Sequence, residues 1–206
     1  MDYTSASAEA LQQELENLQL EYQKIVREGL DLNLARGKPG ADQLELSAGI
    51  LDAVDSKANL IASDGTNCAN YGCLDGLPEA KELFAQMLET KAENIFVGGN
   101  SSLTLMFDII SHAMIDGLEG QKPWAQVADR KFLCPAPGYD RHFAMAEHFG
   151  FELIPLEMHD DGPDMDEVER LIASDSSIKG IWCVPKYSNP TGAIYSDEVV
   201  RRFAAL

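Results

Sequence analysis

Basic residues are scarce in this 206-residue chain: 16 Lys+Arg stand against 34 Asp+Glu, a net charge of -18. Such a surface repels a phosphate backbone at every approach, which excludes nucleic acid as a partner. Cysteine is sparse as well. Cys68, Cys73, Cys134 and Cys183 make no CxxC pair and no dense secreted scaffold, so free, mostly buried thiols in a reducing cytoplasm are expected. No stretch approaches the roughly 20 apolar residues of a membrane span. The opening MDYTSASAEALQQELENLQLEY is acidic where a signal peptide is basic, so neither targeting nor anchoring is expected. Internal repeats and low-complexity tracts are lacking. The four histidines offer no metal site: His142 and His148 are six apart on one expected helix and share no face, and His112 and His159 are distant.

What is present is a chain with 45% apolar residues, enough for a sizeable core in one large domain or two small ones. Leu11, Leu15, Leu18, Tyr22 and Ile25 recur at spacings of four and three, which predicts a helix over Ser7 to Arg27, ended by Gly29. Its stripe is expected to dock on the body or on a partner subunit. From Leu30 to Gly76 periodicity is lost, apart from one short helix near Ser47 to Val54, and Gly, Asn, Asp and Ser dominate. Pro78 then opens a helix that runs to about Thr90, with Leu77, Ala80, Leu83, Phe84, Met87 and Leu88 on one face. Beyond it the chain alternates. NIFVGG, KFLCP, FELIPL and IKGIWCVP read as strands; Ser102 to Leu118, Tyr139 to Phe149, DMDEVERLIA and Asp197 to Leu206 read as helices. That alternation predicts an α/β fold with a mainly parallel sheet and flanking helices.

In such sheets ligands collect outside the carboxyl ends of the strands. Three strand ends here are unusual. In FVGGNSSLTLMFD, Gly98 and Gly99 are followed by Asn100, Ser101 and Ser102 at a helix start, a pattern suited to an anion or, equally, to an ordinary helix cap. It fits neither the Walker spacing GxxxxGK(S/T) nor GxGxxG, against a nucleoside triphosphate or a dinucleotide. In CPAPGYDRHF, two prolines and a glycine fix Tyr139 either against a planar ligand or as a packing wedge. In WCVPKYSNPTG, Pro185 ends the strand and Asn189-Pro190 sets an amide at its mouth; a cis bond there is possible but not the rule. The acidic run HDDGPDMDEVER reads as a solvated loop and a helix start.

Taken together, GLPEAKELF, VGGNSSLTLMFD, CPAPGYDRHF and SNPTG resemble the class I/II aminotransferases, pyridoxal-phosphate enzymes of fold type I. LDLNLARGKPGADQLELS, NYGCLDGLPEA, GGNSSL and PGYDRHF look like its bacterial aspartate aminotransferase-like subgroup, over about Leu30 to Leu206. The resemblance implies pyridoxal 5'-phosphate as cofactor and ping-pong transfer of an amino group, from aspartate above all, to a 2-oxo acid, in a cytoplasmic homodimer of amino acid biosynthesis. Asn189 would then bond the cofactor's phenolic oxygen. Asn100, Ser101 and Ser102 would form its phosphate cup, Tyr139 would stack on its ring, and Tyr71 would reach the neighbouring subunit's phosphate. Gly37 would lie near the substrate carboxylate, with Arg36, Lys38 and Arg141 as candidate anchors.

Residues 1–76 would form the N-terminal helix and irregular segment, with small-domain and dimer-contact roles, and 77–206 the first part of the large cofactor-binding domain. The family's Schiff-base lysine, its pyridinium-binding carboxylate and its substrate arginine follow the NPTG motif, and would fall beyond Leu206. Lys179 and Lys186 precede the motif and match no such position. The 206-residue chain alone is therefore expected to be inactive and, with an open sheet edge, poorly soluble. Other readings stay open: a C–S lyase or decarboxylase of the same fold type, an effector-binding domain without catalysis, or a short pseudoenzyme acting as a dimerisation partner. A regulator would carry a basic helix-turn-helix ahead of the domain, and the acidic start offers none.

Overall fold

Ser7 sets the start of the first helix, its hydroxyl accepting the Ala10 N–H at 3.2 Å. Helix α1 then runs Ala8–Arg27, and Gly29, at φ 61°, turns the chain out of it. The computed structural model describes residues 3–32 and 37–206 and separates into two units, Met1–Leu60 and Ile61–Leu206. In the first unit, α1 is followed by the short α2, Ala41–Glu45, and by a 3-10 turn at Ala48–Asp52 where the short helix was expected. The stripe of α1 forms as the spacing predicts but is exposed, from 37% at Leu11 to 69% at Tyr22.

In the second unit Pro78 is the first residue of α3, Pro78–Met87, where its missing N–H costs nothing. The NIFVGG segment is not a strand. A 3-10 turn occupies Ala92–Asn94, and the backbone bond that anchors the segment runs from the Val97 N–H to the Asp75 carbonyl at 2.9 Å. Its residues have strand propensity, but a strand forms only against a neighbour. Helix α4, Ser102–Ile115, leads through a 3-10 turn at Trp124–Gln126 to β1, Lys131–Ala136. Then come α5 (Asp140–His148), β2 (Glu152–His159), β3 (Gly162–Pro163), α6 (Met165–Ser174), β4 (Ile178–Ile181) and α7 (Asp197–Ala205).

The sheet order is β3-β2-β1-β4, with β1 parallel to both β2 and β4 and the two-residue β3 antiparallel. Successive side chains of β1 point to opposite faces and seed two cores. Phe132 joins Ile110 and Ala113 of α4, Ala146 of α5, Trp124 and Phe151. Leu133 joins Leu156, Met165 and Val168 of α6, Val199 of α7, and Tyr195 just ahead of that helix. Helices therefore cover both faces, α4 and α5 on one and α6 and α7 on the other. Leu133 and Val168 are fully enclosed, each contributing about 1.5–3 kcal/mol from burial. The thiols are all free, but Cys68 and Cys73 are exposed, correcting the expectation that most are buried. They lie in the Gly- and Asn-rich turns, where no apolar layer covers them. Burial raises Cys134 to about 12 and Cys183 to about 11.

Candidate functional site

Two neighbouring parallel strands, the inner β1 and the edge strand β4, leave their carboxyl ends for opposite faces: β1 feeds α5, β4 feeds α7. Where neighbouring parallel strands diverge in this way a crevice opens between their ends. Tyr139 and Asn189 stand on the loops that leave these two strand ends.

On the β1 side, the turn after Ala136 is tight. A Cβ on Gly138 would lie 2.4 Å from the Pro135 carbonyl oxygen and 2.6 Å from the Phe143 ring, so only glycine fits. The turn delivers Tyr139 as the residue before α5, half-buried. On the β4 side, the Trp182 N–H extends the ladder by one bond to the Leu133 carbonyl at 3.2 Å, and the chain then leaves the sheet. Tyr187 takes a left-handed φ of 56°, a conformation that costs a non-glycine residue about 1–2 kcal/mol. Ser188 is buried, its N–H bonded to the Ala193 carbonyl at 2.9 Å, while Gly192 donates back to the Ser188 carbonyl. Asn189 projects from this closed turn with its side chain exposed, and both Asn189-Pro190 and Ala136-Pro137 are cis.

Ser101 caps α4: its hydroxyl oxygen accepts the Thr104 N–H at 3.3 Å, which leaves its own O–H to donate elsewhere. The first-turn N–H groups, those of Ser102 and Leu103 among them, have no carbonyl one turn back and point outward beyond the helix end. The Ser102 side chain is exposed, as is Asn100. This is the geometry that receives an anion, with the helix dipole adding about 0.3–1 kcal/mol. α4 packs into the same aromatic core as α5, on the Tyr139 face of the sheet.

Tyr71 is 98% exposed, in a loop whose next residues, Gly72 to Gly76, border a hollow of ≈ 540 Å³ with Lys81 and Glu82. Gly37 and Lys38 are exposed residues of the first unit, Arg36 lies outside the described residues, and Arg141 is exposed on α5. Two residues that the sequence reading passed over sit at the crevice. His142 is buried with its ring 5.1 Å from Tyr139, and Trp182 is 5.3 Å from His142 on the other side. The signal for His142 was available: it is three residues after Tyr139 at a helix start, and therefore on the same face.

The structure superposes on the crystal structure of an aspartate transaminase from Corynebacterium glutamicum with a TM-score of 0.85 at 40% identity, covering 97% of this chain and 47% of that one. It also matches, at 18% identity and a TM-score of 0.56, an α-aminoadipate aminotransferase of Thermus thermophilus complexed with N-(5'-phosphopyridoxyl)-L-leucine, over 87% of this chain and 42% of that one. The fold is that of the fold type I aminotransferases. A relative from Mycolicibacterium smegmatis is 45% identical over 208 residues, spanning 100% of this chain and 49% of its own. The aspartate amino-transferase family model matches residues 6–206, and the chain belongs to that family. It spans about half the length of the curated relatives it matches.

Proposed function

We propose that this chain supplies the cofactor-holding part of a pyridoxal-phosphate aminotransferase that takes its amino group from aspartate and gives it to a 2-oxo acid. The observation that supports this reading is the divergence of β1 and β4, whose exit loops carry an aromatic ring, Tyr139, and a side-chain amide, Asn189. Family membership supports the reaction class.

The residues present suit the group. A phosphate needs clustered N–H and O–H donors without a nearby carboxylate side chain, and the start of α4 offers Ser101, Ser102 and the first-turn amides. A flat pyridine ring needs an apolar plate, and Tyr139 is held half-buried by the α5 start. A phenolic oxygen needs a fixed donor, which Asn189 provides from a turn closed by two backbone bonds. When bound, pyridoxal phosphate supplies an electron sink for the bond cleaved at the substrate α-carbon. The chain's own residues bind and orient: the α4 cap holds the phosphate, Tyr139 fixes the ring plane, and Asn189 keeps the phenolic oxygen ionised by donating to it. Tyr71, directed into solvent, is suited to a second subunit's phosphate in a homodimer.

The test is a titration with pyridoxal phosphate, followed by absorbance and visible circular dichroism. It is run on the 206-residue chain and on the complete product of its reading frame, with turnover of aspartate, alanine, aromatic amino acids and cystathionine compared in the latter. Saturable binding and preference for aspartate by at least tenfold are expected. Absence of binding in both, or cystathionine elimination as the main activity, would overturn the reading.

A further inference from the structure

Six aromatic side chains of the second unit form one continuous row. Tyr139 meets His142 edge-on at 5.1 Å and 87°, His142 lies along Trp182 at 5.3 Å and 31°, and Trp182 lies along Phe132 at 4.9 Å and 32°. Phe132 then meets Phe151 at 5.4 Å, and Phe151 meets Trp124 at 5.9 Å. The row runs from the crevice, where Tyr139 is half-buried, to Phe132, Phe151 and Trp124, which are buried in the core. Among the described residues, His142 is the ring that links Tyr139 to the rest.

Its surroundings distinguish it from the other three histidines, which are exposed. His142 is 9% exposed, makes no side-chain hydrogen bond among the described residues, and is depressed below the ordinary histidine pKa by burial. Its backbone N–H bonds the Tyr139 carbonyl at 3.1 Å, so both backbone and ring tie it to that residue. Trp182 on its far side also has a buried indole N–H without a partner. The two rings thus lie along each other, and neither makes a side-chain hydrogen bond among the described residues. The room for the row comes from Gly180, where a Cβ would fall 2.6 Å from the Phe132 ring.

We infer that His142 is a positioning residue: a flat ring wedged between Tyr139 and Trp182 that fixes the plane of Tyr139 and couples the β1 exit to the β4 exit. Resting as it does on the proposed cofactor site, the inference predicts that removing the wedge loosens the Tyr139 plate while leaving the phosphate donors of α4 in place. Flatness is what matters, so phenylalanine should substitute and leucine, of similar bulk, should not.

The experiment compares His142→Leu and His142→Phe with the parent, in the complete protein, by three readouts. These are pyridoxal-phosphate affinity, the visible circular dichroism of the bound cofactor, and the exchange of the two sides of the Tyr139 ring seen by NMR. In His142→Leu, affinity should fall about tenfold, the visible dichroism by more than half, and the ring sides should average. In His142→Phe all three should return to within twofold of the parent. A leucine variant indistinguishable from the parent, or a phenylalanine variant as impaired as leucine, overturns the inference. If the parent binds no pyridoxal phosphate, the proposed function fails and the ring exchange alone decides, unchanged averaging in His142→Leu counting against the wedge. If His142→Leu does not fold, Trp182→Leu takes its place: a faster Tyr139 ring supports the coupling, an unchanged one refutes it.

Discussion

Phe132 and Leu133 are neighbours in sequence on opposite faces of one sheet, and the two faces are built from different chemistry. The Phe132 face is aromatic, with Trp124, Phe151, Phe149 and Trp182 around it; the Leu133 face is mostly aliphatic, with Leu156, Met165, Val168 and Val199. Aliphatic side chains fill volume and tolerate many arrangements, whereas stacked and edge-on rings fix angles, each good pair adding about 0.5–1.5 kcal/mol beyond its burial. The aromatic face is also the one that ends at Tyr139. One layer mainly keeps the sheet folded; the other also aims a side chain at the crevice.

That contrast can be broken most forcefully at Leu133. Leu133→Ala should cost roughly 2–5 kcal/mol, read by urea denaturation, because the fully enclosed side chain leaves a cavity. Its folded fraction should still bind pyridoxal phosphate with the parent's affinity. Phe132→Leu, on the other face, should cost only about 1–1.5 kcal/mol, yet weaken cofactor binding at least threefold through Trp182 and His142. Equal effects on binding from the two faces would dissolve the distinction. Ser101→Ala should lose about 1 kcal/mol with the α4 cap and raise the cofactor's dissociation constant, whereas Ser196→Ala, which removes the cap of α7 on the aliphatic side, should affect stability alone.

The smallest effect is expected at the opposite, amino-terminal ends of the strands. There the Lys131 ammonium donates to Asp175 at 2.7 Å, and the Ser177 hydroxyl and N–H donate to the same carboxylate, holding it well below the ordinary carboxylate pKa. A depressed carboxylate contributes stability above its unfolded value of 3.8, lost as pH falls through the lower folded value. The melting temperatures of the parent and Asp175→Asn should therefore differ at pH 7 and converge as pH drops below 3. Cofactor binding should be the same in both at pH 7.

Much of this was legible in the chain. The α1 stripe, the Pro78 helix start and the alternation after Ser102 all rest on local periodicity, and each element formed within a few residues of its expected span. NIFVGG failed as a strand because propensity is local and pairing is not. IKGIWCVP yielded only the four residues Ile178–Ile181, since the Pro185 exit and the left-handed Tyr187 pull the chain off the sheet early. At the site, Tyr139 and Asn189 stood out by their proline and glycine neighbours. For His142 the spacing showed a shared face with Tyr139, but not its contact with a ring on β4's exit, forty residues away in sequence. The division of the sheet into an aromatic and an aliphatic face likewise emerges only once the strand order is known.

The central claim is that the loops leaving β1 and β4, with the start of α4, hold one phosphorylated pyridine between them. Its most direct test is a crystal structure of the complete protein soaked with pyridoxal phosphate. The expected result is a phosphate on the Ser101 and Ser102 donors, the ring against Tyr139, and the Asn189 amide at the phenolic oxygen. A cofactor bound elsewhere, or touching none of these three groups, would contradict it.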